Sequence, residues 1–264
     1  MDVRREDEER CRSDSLSVMT REWDALTYDR LASPMTRWGE AVVGWLELEG
    51  DERVMDAGCG TGRVTERLME RLPDGHVVAV DGSSAMVEHA RTRLSPFGDR
   101  VEYVVADLSR PIPVDPPVDA ILSTATFHWI VDHDALFANL ADILRPGGQL
   151  AAQCGGAGNI ATVQAALREL GGDFEGRKHF ATADETRKRL ERAGFTDVHT
   201  WLHDEPTELA PRDVEPYLAT ICLGDHVEGM ADDERARFVA EVARRLPGPR
   251  IDYVRLNIRA RRAA

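Results

Sequence analysis

The stretch Val54-Met55-Asp56-Ala57-Gly58-Cys59-Gly60-Thr61-Gly62-Arg63 constrains this chain more than any other. An apolar run passes through three alternating glycines into a segment whose apolar residues Val64, Leu68 and Met69 recur at helical spacing, which predicts a strand, a tight turn and a helix. Glycines at 58, 60 and 62 let the backbone turn sharply and approach a ligand with no Cβ in the way. The spacing is G-x-G-x-G. A dinucleotide fingerprint would need glycine at 63, where Arg63 stands, and no Lys-Ser/Thr pair completes a phosphate loop. The turn offers instead Asp56 at the strand end, a carboxylate able to meet an ammonium group.

The same unit repeats downstream. Strands are predicted at 53–57, 76–81, 101–107, 118–124 and 149–154, and helices at 63–71, 84–94 and 133–144, the alternation expected of five parallel strands with crossover helices. Arg145-Pro146-Gly147-Gly148 should end the last of these helices. Upstream, apolar residues between Trp23 and Leu46 suggest two short helices broken near Pro34, preceded by a disordered 1–20. Downstream, helices are expected at 160–170 and 182–193, the second opened by the capping-box spelling Thr182-Ala183-Asp184-Glu185. Two strand-like segments, 197–203 and 251–259, are separated by about 45 residues that read as helices near 213–222 and 232–245. An insertion of that kind between two strands, at about 205–250, is a natural lid over a ligand site. The expected organisation is therefore one domain over 21–264: N-terminal helices 21–50, a binding core 51–156 and a C-terminal part 157–264 with the lid.

Two further acids end predicted strands. Asp81 lies nineteen residues beyond Gly62, a spacing at which a carboxylate can accept both hydrogen bonds of a ribose diol, so it fits any ribose-bearing cofactor. Asp107 can accept from an exocyclic amino group, with Leu108 and Met86 giving apolar contact to a purine. Acids at three successive strand tips favour a ligand rich in donors and poor in phosphate. His128 and Trp129 follow the fourth strand, at the sheet edge where α/β folds bind ligands, and are candidates for the acceptor pocket, with His128 as a general base if the acceptor needs one. His133 is expected to begin the next helix. His199 and His203 would share a strand face but lack a third ligand, and Cys11, Cys59, Cys154 and Cys222 form no C-x-x-C pair, so no metal site and only free thiols are expected.

Composition narrows the partners. Forty-seven acidic against 33 basic residues give a net charge of −14, which repels phosphate backbones and argues against a nucleic-acid partner. No apolar run approaches a membrane span and the charged opening Met1-Asp2-Val3-Arg4-Arg5 does not suit a signal peptide, so a cytoplasmic protein with no membrane partner is expected. The basic cluster Arg255, Arg259, Arg261 and Arg262 is expected on an exposed strand edge.

Taken together, Asp56-Ala57-Gly58-Cys59-Gly60-Thr61-Gly62, Asp81-Gly82-Ser83-Ser84-Ala85-Met86, Ala106-Asp107-Leu108 and Leu144-Arg145-Pro146-Gly147-Gly148 resemble the successive motifs of class I S-adenosylmethionine methyltransferases. The resemblance spans about 25–156. It implies a Rossmann-like seven-stranded sheet with the last strand antiparallel and helices on both faces, and S-adenosylmethionine as cofactor, with Gly58 and Gly60 at its methionine portion, Gly82 beside Asp81 at the ribose and Asp107 at the adenine. Tyr28 sits where related enzymes close an aromatic residue over the cofactor. S-adenosylmethionine carries an ammonium, a ribose and an adenine amino group but no phosphate, as the acids require. More narrowly, Ser123 to His133, with Phe127-His128-Trp129-Ile130-Val131-Asp132-His133 at its centre, is similar to the trans-aconitate and juvenile-hormone-acid methyltransferases, which implies O-methylation of a small carboxylic acid. C- or N-methylation of a small metabolite, and a cofactor-binding protein without transferase activity, are the alternatives.

Overall fold

Apolar residues that alternate between two buried faces build the centre of the structure. In β1 (Arg53–Ala57) and β2 (His76–Asp81), Met55, Val78 and Val80 enter one core, while Val54, Val77 and Ala79 enter the other, so each strand is apolar nearly throughout. The structure, a computed structural model, describes residues 33–264; the expected disordered segment, Tyr28 and the first of the expected N-terminal helices lie outside the described residues.

With β3 (Val101–Val105), β4 (Val118–Thr124), β5 (Leu144–Gly155), β6 (Phe195–Asp204) and β9 (Val254–Arg262), these strands form a seven-stranded sheet in the order β3-β2-β1-β4-β5-β9-β6. Only β9 runs antiparallel to its neighbours. Helices α1 (Ser33–Val43), α2 (Arg63–Glu70), α3 (Ser84–Arg93), α4 (His133–Ile143), α5 (Ala161–Glu169) and α6 (Ala183–Arg192) surround it. This is the Rossmann-like class expected from the sequence. Strand order reverses between β1 and β4, which opens a crevice at their carboxyl ends.

Several boundaries differ, each for a local reason. α1 begins at Ser33, which puts Pro34 in its first turn, where its missing N–H costs nothing; the helix expected before it lies outside the described residues. β3 stops at Val105, because Asp107 turns the chain by accepting from the Ser109 N–H and hydroxyl. β5 begins before the Arg-Pro-Gly-Gly segment: Leu144 pairs with Val118 and Gln149 with Ala120, so the four residues between them bulge out, helped by Gly147 at φ 77°. The segment expected as one strand over 251–259 divides at Asp252, whose carboxylate accepts from the Thr162 N–H and hydroxyl at the start of α5. Before it, β8 (Arg250–Ile251) pairs with β7 (Thr207–Glu208) as a separate ribbon; after it, β9 enters the sheet. β9 is therefore not an edge. It lies between β5 and β6, so Arg255 is buried, Arg261 and Arg262 are half-buried, and Arg259 is exposed.

The residues between β7 and β8 form α7 (Val214–Tyr217), a π-helical turn Leu218–Cys222, α8 (Gly224–Val227) and α9 (Asp232–Ala243). Their Leu218, Val227, Val239 and Val242 pack with Trp38 of α1 and Val163 of α5 in a third core. That core stands beside the carboxyl end of β5 and the amino end of β9.

Candidate active site

A cavity of about 660 Å³ opens at the crevice. One end is lined by Gly58, Gly60, Asp81, Gly82, Met86 and Asp107 with Leu108; the other by His128, Trp129, Lys178, Phe180, Tyr253 and Arg255.

At the first end the glycine turn is closed by its own hydrogen bonds. The N–H groups of Gly58 and Cys59 donate to the Val80 carbonyl at 2.7 and 2.9 Å, that of Gly62 to the Cys59 carbonyl, and that of Gly60 to Asp81 Oδ2 at 2.9 Å. A phosphate-binding turn needs such groups aimed at the ligand, and here these four are spent within the protein. Gly58 (φ 86°) cannot carry a side chain, since a Cβ would come within 2.0 Å of Thr126 Oγ1. At Gly60 (φ 53°) a Cβ would meet nothing within 4 Å and would enter the cavity itself.

Asp81 Oδ1 also accepts from the Ser83 N–H at 2.9 Å, so both oxygens of the carboxylate are held by backbone donors and its plane is fixed. Asp107 uses Oδ1 for Ser109 and has Arg110 Nε 3.7 Å from Oδ2. Met86 and Leu108 are buried, apolar and beside these acids.

Two expected ligand residues stand behind this surface. Asp56 is buried away from the cavity lining; its Oδ2 accepts from Thr65 Oγ1 at 2.6 Å, and Oδ1 has no hydrogen-bond partner among the described residues. Burial pushes its pKa up to about 7, with the nearby Asp81 charge adding to the shift and Thr65 opposing it. Gly62 (φ 81°) instead brings α2 against α3, where a Cβ would lie 3.2 Å from Ala90 Cα. Strand-end position and glycine spacing do not distinguish a residue facing the ligand from one supporting the turn.

At the second end, the 3₁₀ turn Phe127–Trp129 carries His128 into the cavity. Its Nδ1 accepts the Gly155 N–H at 3.3 Å, so the neutral ring carries its proton on Nε2, and Phe180 stacks on it with ring centroids 5.8 Å apart. Burial, then the charges of Arg255 and Lys178, hold its pKa well below the usual histidine range. The Trp129 ring lies 4.3 Å from Lys178 Nζ. His133 begins α4 as expected, but its buried ring is paired with the Phe127 carbonyl at 3.0 Å.

Lys178 and Arg255 escaped sequence reasoning. Lys178 follows a loop without periodicity, and Arg255 was hidden in what read as an exposed basic cluster. Both are buried. Lys178 Nζ donates to the Cys222 carbonyl at 2.6 Å and lies 3.2 Å from Asp225 Oδ1, joining its loop to α8. Ile221, Cys222, Asp225 and Glu228 from the inserted helices also line the cavity.

Comparison with known proteins agrees with this geometry. A family described as a methyltransferase domain matches residues 54–148. A malonyl-[acyl-carrier protein] O-methyltransferase of Geobacter sulfurreducens is 34% identical over 204 residues, covering 75% of each chain. The chain belongs to the class I S-adenosylmethionine-dependent methyltransferases. The enzyme is also 39% identical to a trans-aconitate 2-methyltransferase of Azoarcus sp., over about half of either chain (50% of each), and 28% identical to that of Paracidovorax citrulli over 92% of this chain and 99% of the other. Among solved structures it is similar to phosphoethanolamine N-methyltransferase 2 of Haemonchus contortus (TM-score 0.63, 17% identity, 91% of this chain and 57% of that one). It is also similar to the [4+2]-cyclase SpnF (TM-score 0.57, 21% identity, 87% and 81%). Those likenesses concern the fold, which evidently hosts more than one reaction.

The cofactor, S-adenosylmethionine, suits the residues present: acceptors rather than phosphate donors around the turn, a glycine whose Cβ would fill the cradle, and apolar Met86 and Leu108 beside Asp107. Among the described residues no helix is long and apolar enough to cross a membrane, and no group of three metal-ligating side chains gathers.

Proposed function

We propose that the enzyme methylates a carboxylate oxygen of a small organic acid. The observation that carries this reading is the second end of the cavity, where two cations, Arg255 and Lys178, accompany a histidine kept neutral. An acid is already ionised at neutral pH and needs no base, whereas a phenol or amine must lose a proton. The carboxylate esterification named for the Geobacter and Azoarcus relatives supports the same reading.

In this reading Gly58 and Gly60 hold the methionine portion of the cofactor, Asp81 with Gly82 the ribose, and Asp107 with Met86 and Leu108 the adenine. Asp56 and Gly62 shape the turn without touching the ligand. When bound, S-adenosylmethionine supplies a methyl group already activated on sulfur, so the protein's own work is alignment and exclusion of water. The neutral Nε2–H of His128 and the indole N–H of Trp129 donate to one oxygen of the acceptor, leaving the other to react. The segment 205–250 acts as a lid that closes the second end and is part of one domain over 21–264. We place the enzyme in the cytoplasm, acting on small acids rather than on nucleic acid, in keeping with its net charge of −14.

The test is incubation with methyl-labelled cofactor and a panel of metabolite acids. A base-labile methyl ester is expected; a stable ether, methylamine or C-methyl product would replace this reading while keeping the methyltransferase.

A further inference from the structure

Resting on carboxylate O-methylation, we propose that Asn159 binds the methyl acceptor: its side-chain amide donates through Nδ2 to a carboxylate oxygen, beside the donor that His128 offers.

Asn159 is 3% exposed and lines the cavity. Its backbone N–H donates to the Gly156 carbonyl at 2.9 Å, its carbonyl accepts from Gln164 Nε2 at 2.7 Å, and its Oδ1 accepts from the Val254 N–H at 3.0 Å. Nδ2 alone is left, with no hydrogen-bond partner among the described residues, and protein atoms do not seal it off, so it meets the cavity. An amide nitrogen in so buried a residue is costly until something in the cavity accepts from it.

The amide cannot turn over to present its oxygen instead. Val254 opens β9, and while its carbonyl takes the Gly156 N–H at 3.0 Å, its own N–H has Asn159 Oδ1 as acceptor. Turning the amide would set an NH2 group against that N–H, so the orientation is settled by chemistry. Asn159 therefore offers the cavity a donor and never an acceptor. The turn that carries it is fixed as well. Ile160, the next residue, sits at φ 48°, a left-handed conformation that a β-branched side chain resists, and its N–H is tied to the Asp252 carbonyl at 2.9 Å.

Gly155 brings this donor to His128. The Gly155 N–H donates to His128 Nδ1, and a Cβ at Gly155 would lie 2.7 Å from Asn159 Nδ2 and 2.9 Å from Phe180 Cε1, in the ring that stacks on His128. The absence of that Cβ is what lets the amide and the aromatic pair share one place. Asn159 and His128 thus present N–H donors at the same end of the cavity, and a carboxylate, which has two oxygens and only accepts, answers both. A protonated amine would set donor against donor.

The experiment titrates enzyme isotope-labelled on asparagine and loaded with S-adenosylhomocysteine with formate, acetate, butyrate and benzoate, against sodium chloride at equal ionic strength, and follows the side-chain amide resonances. The pair of signals missing from Asn159→Asp identifies Nδ2. At least one acid should move an Nδ2 proton downfield in a saturable way, and chloride should not. Asn159→Asp keeps an oxygen for the Val254 N–H but loses the donor, so it should bind the same acid about tenfold or more weakly. S-adenosylhomocysteine affinity and melting temperature report whether that variant folds; if it does not, the Nδ2 signals are assigned in wild type through their proximity to the Val254 N–H, and the wild-type titration decides. No acid-dependent shift at Nδ2 in wild type, or unchanged acid affinity in a folded Asn159→Asp, overturns the proposal. The readout needs no turnover, so an Nδ2 shift together with an ether or methylamine product would fault the reading of the reaction and not the contact.

Discussion

The backbone N–H of Gly60 donates to Asp81 Oδ2 at 2.9 Å, so the glycine turn after β1 and the acid at the tip of β2 are one hydrogen-bonded unit. Asp81 thereby shapes the turn, and in the proposed reading it also presents acceptors to the ribose. Asp81→Ala should weaken S-adenosylmethionine binding by on the order of 2–4 kcal/mol, through lost charged hydrogen bonds and a loosened turn together. Asp81→Asn, which can keep one acceptor for Gly60, should lose less. Calorimetric titration of both folded variants checks this, and wild-type affinity in Asp81→Ala would remove Asp81 from the site.

How legible this was depended on whether a property is local. The glycine turn, the acids at 81 and 107 and the strand limits of β1, β2 and β4 follow from periodicity and short spacing, and the sequence carries them openly. Arg255 does not, because its burial depends on β9 being inserted between β5 and β6, a pairing over about a hundred residues that no local pattern records. Lys178 was missed for the same reason, since its partners Cys222 and Asp225 lie more than forty residues away. Asp56 and Gly62 fell on the other side: their spacing matches a ligand site, yet burial and close helix packing put them behind it.

Asp56 gives a pH-dependent test. Its folded carboxyl is raised from 3.8 to about 7, so the native state retains a proton that the unfolded chain releases above about pH 4. Native stability contributed by this group is therefore present at low pH and lost as pH rises through 7. The whole shift corresponds to at most about 4 kcal/mol. Asparagine keeps an oxygen for Thr65 and never ionises. Asp56→Asn should thus come closest to wild type near pH 4, gain on it progressively as pH rises to about 7, and melt at a higher temperature than wild type near pH 8. Its cofactor affinity should change little, because the carboxylate does not line the cavity. A melting difference independent of pH would contradict the raised pKa, and a large loss of affinity would return Asp56 to the ligand site.

The inserted helices join the rest of the site through the Lys178 ammonium, its bond to the Cys222 carbonyl and its pairing with Asp225. If they act as a lid, amide exchange across 214–243 should slow when S-adenosylhomocysteine and an acid acceptor bind together. Lys178→Met should raise exchange in the same residues before any ligand is added, by removing the link to the loop. Protection confined to the glycine turn would deny the segment a lid role.

His128 decides whether proton removal belongs to the reaction. Its Nδ1 is occupied by the Gly155 N–H, and burial beside Arg255 and Lys178 lowers its pKa well below 6.5. The unfolded chain therefore takes up this proton at a higher pH than the native state does. Stability due to the neutral ring is present above about pH 6.5 and is lost as pH falls toward the folded pKa. For activity, the same shift means that the ring is neutral throughout pH 6.5–8.5, and an acid acceptor is ionised throughout it. Turnover should then be flat across that range. His128→Ala should chiefly raise KM, by removing a donor to the carboxylate, with kcat falling much less. A base acting on a phenol or amine would behave otherwise: kcat would drop about a hundredfold or more in His128→Ala, and wild-type turnover would follow the ionisation of an acid–base pair. Measuring kcat and KM separately over this pH range, for wild type and His128→Ala with the best acid found, distinguishes the two, and a large loss in kcat with KM unchanged would make His128 a base and the acceptor something other than a carboxylate.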